Sequence, residues 1–287
     1  MNHSLFLDSG AYSAWTSGKE LLVEDYIEYI KEHKDYIDVY ANLDVIGSAE
    51  GTWENQRKME AAGLSPLPVY HVNEPMKYLE MCMEYEYFAV GGMAKTSSSV
   101  LQYQIDEVFS IICPKKNDYY PTHKIHGFGC TKPNLVVGYP WYSVDSSSWV
   151  KYGLYGIVLI PKIFNGNLLY NKPPITITMS NRSKAVGESH HFCNLPDMEK
   201  EAIFDYFESK GLAVGKSEII HVIPNYELNS NEVWIDKKKT KIERIIEPGL
   251  INDHKIRDHA NLLYFLDLEK YQQAWPWPWK KRTGRLL

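Results

Sequence analysis

The sequence predicts an α/β protein whose core is a (β/α)8 barrel of the TIM type, irregular in its last units and followed by a C-terminal α+β extension. Three observations predict it. Short apolar runs alternate with amphipathic helical stretches through the first half of the chain, the pattern of βαβ units on a parallel sheet. Up to eight such runs are present, enough to close a barrel. Six of them stop at Asp, His or Gly, and in a barrel the C-terminal ends of the strands carry the chemistry.

The elements follow in order. Residues 5–7 are apolar and stop at Asp8. Residues 23–33 place Tyr26, Ile27 and Ile30 at helical spacing. The run 37–43 stops at Asp44, and a helix over 53–62 ends at Gly63, where a C′ glycine belongs. The run 67–70 stops at His71, and a helix starting near Pro75, a favoured N1 residue, carries Met76, Leu79 and Met83. Residues 87–90 stop at Gly91-Gly92, before a helical stripe of Leu101, Ile105, Val108 and Ile112 closed by Pro114. Residues 124–126 stop at Gly127, and 141–144 stop at Asp145. Further strands are expected at 156–160 and 175–179. Near residue 195 the character changes to a helix over 197–210, a strand over 217–224, a hairpin over 232–246 and a helix over 252–273. The expected domains are therefore a barrel with the active site over 1–190 and the extension over 191–287.

Composition narrows the class. The 287 residues carry a net charge of −5, with 44% apolar and 23% charged residues, which excludes disorder, collagen and coiled coil. No apolar run reaches the roughly 20 residues of a membrane helix. The first residues lack the apolar core of a leader, so a cytoplasmic protein is expected. Four scattered cysteines form no CxxC pair, so neither a disulfide framework nor a zinc knuckle is expected. Residues 1–150 have a net charge of −9 and the remainder +4. Such asymmetry suits a reaction centre joined to a surface for a polyanion, or a solvated surface with chance imbalance.

In a barrel Asp8, Asp44, His71, Gly91-Gly92, His126-Gly127 and Asp145 converge on one mouth. Two carboxylates facing each other, Asp8 and Asp145, can cleave a glycosidic bond, one as nucleophile and one as acid/base. Asp44, an acceptor only, suits the N–H edge of a guanine. The paired glycines allow a backbone to approach a ligand, and Tyr12 can stack on a planar ring. The same carboxylates with His71 and His126 could instead hold a metal ion for hydrolysis.

The ordered set of motifs resembles the tRNA-guanine transglycosylases. The segment Asp8-Ser9-Gly10-Ala11-Tyr12-Ser13 is similar to the family's DSGG[FY]Q, Leu43-Asp44 to its base-reading Asp, and Gly91-Gly92-Met93-Ala94 to its GGLA. His126-Gly127-Phe128-Gly129 resembles MGVG, and Val144-Asp145-Ser146 falls at its FDC. His71 departs from the family's base-contacting Gln. The family's zinc site is missing, and the C-terminal third aligns with nothing in it. Over residues 5–160 the chain is most similar to the short phage relatives that insert 7-deazaguanines into DNA. The resemblance implies base exchange of guanine for a 7-deazaguanine such as 7-cyano-7-deazaguanine (preQ0), with Asp145 as nucleophile and Asp8 as acid/base. It implies a base pocket of Ser9, Gly10, Tyr12, Asp44, His71, Gly91, Gly92, Met93, His126 and Gly127. It implies no cofactor, a DNA partner favoured over tRNA, and a host cytoplasm. A zinc-free tRNA enzyme, a metal-dependent barrel hydrolase and a non-catalytic nucleic-acid binder are the alternatives.

Ser146, Lys237, Lys238, Lys239, Lys280, Lys281 and Arg282 are the candidate nucleic-acid contacts. The lysine run can equally be a solvated turn. The tail Trp275-Pro276-Trp277-Pro278-Trp279 can stack on bases or dock as an apolar clasp, and docking is favoured. His190, His191 and Cys193 are expected to form a loop before a helix cap rather than a metal site.

Overall fold

The computed structural model describes residues 4–93, 97–130, 132–170 and 172–281. The chain divides into two compact units, one of residues 1–146 with 273–287 and one of residues 147–272.

The first unit alternates strands and helices as expected. It runs β1 (Phe6–Leu7), α1 (Ala11–Thr16), α2 (Val23–His33), β2 (Val39–Tyr40), α3 (Ala49–Ala61), β3 (Val69–His71), α4 (Met76–Cys82), β4 (Tyr87–Gly91), α5 (Ser98–Ile112), β5 (Lys124–Gly127), α6 (Pro133–Gly138) and β6 (Ser143–Val144). Strand β1 pairs parallel with β2, and β3, β4, β5 and β6 form a four-stranded parallel sheet. A parallel bridge between Ala41 and Leu67 joins the two. Six strands thus lie side by side in chain order, which brings their C-terminal ends to one edge.

Local sequence explains the helices. Ser48 caps α3, its Oγ accepting from Gly51 N–H at 3.1 Å, and Gly63 follows the helix at φ +81°. Along α5 the stripe Leu101, Ile105, Val108, Phe109 and Ile112 is buried, as the helical period requires. Val23, Ile30, Leu43 and Met59 bring α2 and α3 into one core. Pro75 stands just outside α4 rather than at its first residue. On the other face Leu67, Val69 and Ala89 pack with Phe6, Val39, Tyr87 and Phe128. Phe6 stacks on His126 with centroids 4.3 Å apart, so the sheet curls until β1 meets β5.

The second unit departs from expectation. It contains α7 (Ser148–Leu154), β7 (Ile157–Ile160), β8 (Lys162–Phe164), β9 (Asn167–Leu169), β10 (Ile175–Thr178), α8 (Asp197–Ser209), β11 (Lys216–His221), β12 (Glu232–Trp234), β13 (Lys241–Glu247) and α9 (His254–Tyr271). Strands β7 and β10 were expected as parallel barrel strands, yet they pair antiparallel. The β8–β9 hairpin occupies the segment between them and supplies no crossover helix, which a parallel return needs. The chain divides at 146/147 rather than 190/191 because β7 and β10 share a core with α8 and α9. Val158, Ile160, Ile177 and Met179 pack with Ile203, Phe207, Leu250 and Ala260. Strand β13 pairs antiparallel with both β11 and β12, and the helix and hairpin expected there are present. The fold is mixed α/β with a parallel sheet. Among the described residues no strand pairing closes that sheet into the expected eight-stranded barrel. No described helix is long and apolar enough to cross a membrane.

The tail docks on the first unit. Trp279 is buried against Tyr139 and Phe109, with centroids 5.3 and 5.9 Å away, and its backbone N–H donates to Tyr119 C=O at 2.8 Å.

Candidate active site

Asp8, Asp44, His71, Gly91, His126 and Asp145 stand at or just beyond the C-terminal ends of β1 to β6. The loop that carries Asp44 is pinned by α3. Thr52 C=O accepts from Asn42 Nδ2 at 2.8 Å, its Oγ1 accepts from Val45 N–H at 3.0 Å, and Asn55 Nδ2 donates to Leu43 C=O at 2.9 Å.

His71 lies between two carboxylates. Its Nε2 is 3.2 Å from Asp44 Oδ2 and its Nδ1 is 2.9 Å from Glu74 Oε1. Glu74 Oε2 also accepts from the His71 backbone N–H at 3.1 Å. Both ring nitrogens face acceptors, so both carry hydrogen and the ring is an imidazolium. Burial opposes that charge, but the hydrogen bonds to Asp44 and Glu74 and their charges overcome it and raise the group to about 10. Asp44 Oδ1 remains buried with no hydrogen-bond partner among the described residues. The glycines beside His71 are required by space. A Cβ on Gly91 would lie 2.9 Å from His71 Cδ2. One on Gly92 (φ +78°) would lie 3.2 Å from His71 Cβ.

Asp8 and Asp145 share one electrostatic environment. Burial raises the Asp8 carboxyl above its ordinary value, the Gly10 N–H opposes this, and the Asp44 charge adds to it. Burial likewise raises Asp145, Gly129 N–H opposes, and the Asp8 charge adds. Asp145 Oδ1 accepts from Gly129 N–H at 2.5 Å, and Asp145 N–H donates to Gly127 C=O at 3.3 Å. Gly127 leaves room for β6, since a Cβ there would lie 3.1 Å from Trp141 and 3.2 Å from Val144.

His126 is buried, and burial lowers its imidazole to about 4, so it is neutral. Its Nδ1 is 2.8 Å from Ser143 Oγ, which is 2.8 Å from Tyr87 Oη. Its Nε2 lies 3.9 Å from Asp145 Oδ1.

The rest of the expected pocket is distributed as follows. Ser9 is buried, and its Oγ accepts from Ala11 N–H at 3.4 Å. Gly10 (φ +72°) precedes α1. Tyr12 is exposed on α1, 6.0 Å from the Trp15 ring. Met93 is buried, and Ala94 lies outside the described residues. Sequence reasoning missed Glu74, Ser143 and Tyr87. The spacing His71-x-x-Glu74 was a visible signal for the first. The other two depend on register, since Ser143 lies opposite His126.

Among the candidate nucleic-acid contacts, Ser146 is partly buried beside Asp145. Lys281 pairs with Glu107, and Lys280 lies 4.4 Å over the Tyr119 ring. Arg282 lies outside the described residues. In the second unit Lys237, Lys238 and Lys239 are exposed in the β12–β13 turn, which the Asp236 carboxylate closes by accepting from Thr240 N–H at 2.9 Å. His191 is fully buried, donating from Nε2 to Ser180 C=O at 3.2 Å and accepting Cys193 N–H on Nδ1 at 3.2 Å. Among the described residues no three His, Cys, Asp or Glu side chains converge as metal ligands.

Compared with known proteins, the chain matches no family model, no curated protein and no solved structure.

Proposed function

We propose that this protein is a base-exchange transglycosylase that replaces a guanine in DNA by a 7-deazaguanine such as preQ0. One observation carries the reading. Two carboxylates just past the first and sixth strands, Asp8 and Asp145, stand at one sheet edge, where the Asp8 charge raises Asp145, and Asp44 presents a buried acceptor at the same edge with no hydrogen-bond partner among the described residues. The curled parallel sheet is read as the first six strands of a TIM-type barrel.

The chemistry follows from those groups. The target base leaves the stack, because a carboxylate cannot reach C1′ within a duplex. Asp145 attacks C1′, the C1′–N9 bond breaks, and the electron pair departs with the base. Asp8, whose carboxyl burial raises above its ordinary value, gives a proton to that base. An ester joins Asp145 to the sugar. The 7-deazaguanine then enters, Asp8 takes its N9 proton, N9 attacks C1′, and the ester bond breaks to restore the Asp145 carboxylate. Two displacements retain configuration. Asp44 Oδ1 accepts the N–H edge of either base, while a base presenting a lone pair there meets a carboxylate.

Covalent trapping tests this reading. The protein is mixed with duplex DNA, quenched in denaturant, digested and analysed by mass spectrometry. A nucleotide adduct on the Asp145 peptide that is missing in Asp145→Ala supports it. An adduct elsewhere, or none in the wild type under conditions of base exchange, overturns it.

A further inference from the structure

The hydrogen-bond chain Tyr87–Ser143–His126 ends at the proposed nucleophile. His126 Nε2 is buried, lies 3.9 Å from Asp145 Oδ1 and has no hydrogen-bond partner among the described residues. A polar atom buried without a partner is costly, so such atoms in native proteins call for a role. The residue is not mobile packing filler. Its ring is stacked on Phe6 at 4.3 Å and 20°, and edge-on to Phe128 at 4.6 Å. Those contacts fix the ring plane, and Ser143 fixes its rotation.

The chain also selects the tautomer. Tyr87, Ser143 and a neutral imidazole each carry one hydrogen to place. In one arrangement Tyr87 O–H donates to Ser143 Oγ, Ser143 donates to Nδ1, and Nε2 carries the hydrogen. In the other Nδ1–H donates to Ser143, Ser143 donates to Tyr87, and the bare Nε2 lone pair faces the Asp145 carboxylate. The second sets two acceptors against each other, with Nε2 itself buried. The first turns an N–H toward a carboxylate, and a looser distance than a hydrogen bond is common before substrate binds.

We propose that His126 is a positioning residue for Asp145, its Nε2–H acting with Gly129 N–H on Oδ1 so that Oδ2 is left as the attacking atom. This rests on the transglycosylase reading for its consequence in catalysis. Gly129 N–H already holds Oδ1, and when the 3.9 Å gap to Nε2 closes as substrate binds, the second donor on the same oxygen confines the carboxylate to a single rotamer. The same donors stabilise the charge that returns to the carboxylate when the ester bond breaks. His126 transfers no proton. Its hydrogen stays on Nε2 throughout.

Two measurements test the proposal. The first is independent of turnover: ¹⁵N–¹H spectra of histidine-labelled protein, with His126 assigned from His126→Phe. The proposal expects a protonated Nε2 and an unprotonated Nδ1 at pH 7, and a shifted Nε2 signal in Asp145→Asn. An Nδ1–H tautomer, an imidazolium, or no response to Asp145→Asn overturns it. The second is steady-state base exchange. His126→Phe keeps an aromatic ring against Phe6 and removes the donor, and should lower kcat about 10²-fold with KM for the base within about threefold. His126→Gln restores an N–H and should recover most of the loss. A loss confined to KM, or no recovery by Gln in folded protein, overturns the positioning role. A wild type that exchanges no base overturns the proposed function, while the spectra judge the geometry of His126 on their own.

Discussion

The Asp44–His71–Glu74 cluster makes a quantitative prediction about stability against pH. His71 has an ordinary value of 6.5 and about 10 in the folded protein. A folded-state rise means that the imidazolium stabilises the fold fully below pH 6.5. That contribution is lost as pH climbs toward 10. At about 1.4 kcal/mol per pH unit the full contribution is about 5 kcal/mol, a ceiling for one group. The three side chains are 14–17% exposed, so solvent screening removes only part of it. The assay is guanidinium denaturation of wild type and His71→Gln at intervals from pH 6.5 to 10. Taking the difference at each pH cancels the titration of distant lysines and tyrosines. The wild type should exceed the variant most at pH 6.5, and the gap should narrow steadily through pH 10. A gap that is flat over this range refutes the imidazolium and the carboxylate clamp derived from it.

Other perturbations read different parts of the structure. Gly91→Ala drives a methyl to within 2.9 Å of His71 Cδ2 and should cost about 1–3 kcal/mol while weakening base binding; calorimetric titration with preQ0 at unchanged affinity would contradict this. Trp279→Ala empties a buried site against Tyr139 and Phe109 and should destabilise the protein by about 3–5 kcal/mol in thermal or chemical unfolding, whereas a change under about 1 kcal/mol would show the clasp to be superficial. Replacing Lys237, Lys238 and Lys239 together by Ala should flatten the salt dependence of DNA binding by about three in log–log slope, and an unchanged slope would remove that turn from the interface.

Much of this architecture was legible in the residues, and the gaps have physical causes. Helix α2 shows its period because Tyr26, Ile27 and Ile30 recur on one face, and its observed bounds are the expected ones. The ends of the first six strands could be located because polar residues interrupt apolar runs where loops begin. Strands of two residues such as β1 and β6 carry no period of their own, so their partners came only from the fold. The direction of β10 was misjudged because an apolar run looks the same parallel or antiparallel. What decides it is the β8–β9 hairpin, whose Asn165-Gly166 turn, with both residues at positive φ, is a hairpin signal in the residues themselves. In the site, carboxylates and glycines were visible as strand-end residues. Glu74 showed only as the His71-x-x-Glu74 spacing, its role depending on a loop that closes back onto His71, and Ser143 showed no signal, because its role depends on β6 lying against β5.

The central claim is the base exchange itself. Protein is incubated with radiolabelled preQ0 and, in parallel, duplex DNA and tRNA, and label is counted in each polymer beside an Asp145→Ala control. Label in DNA that vanishes in the control is the predicted result. Label in neither polymer, with guanine offered as well, or label in DNA that survives Asp145→Ala, would contradict it.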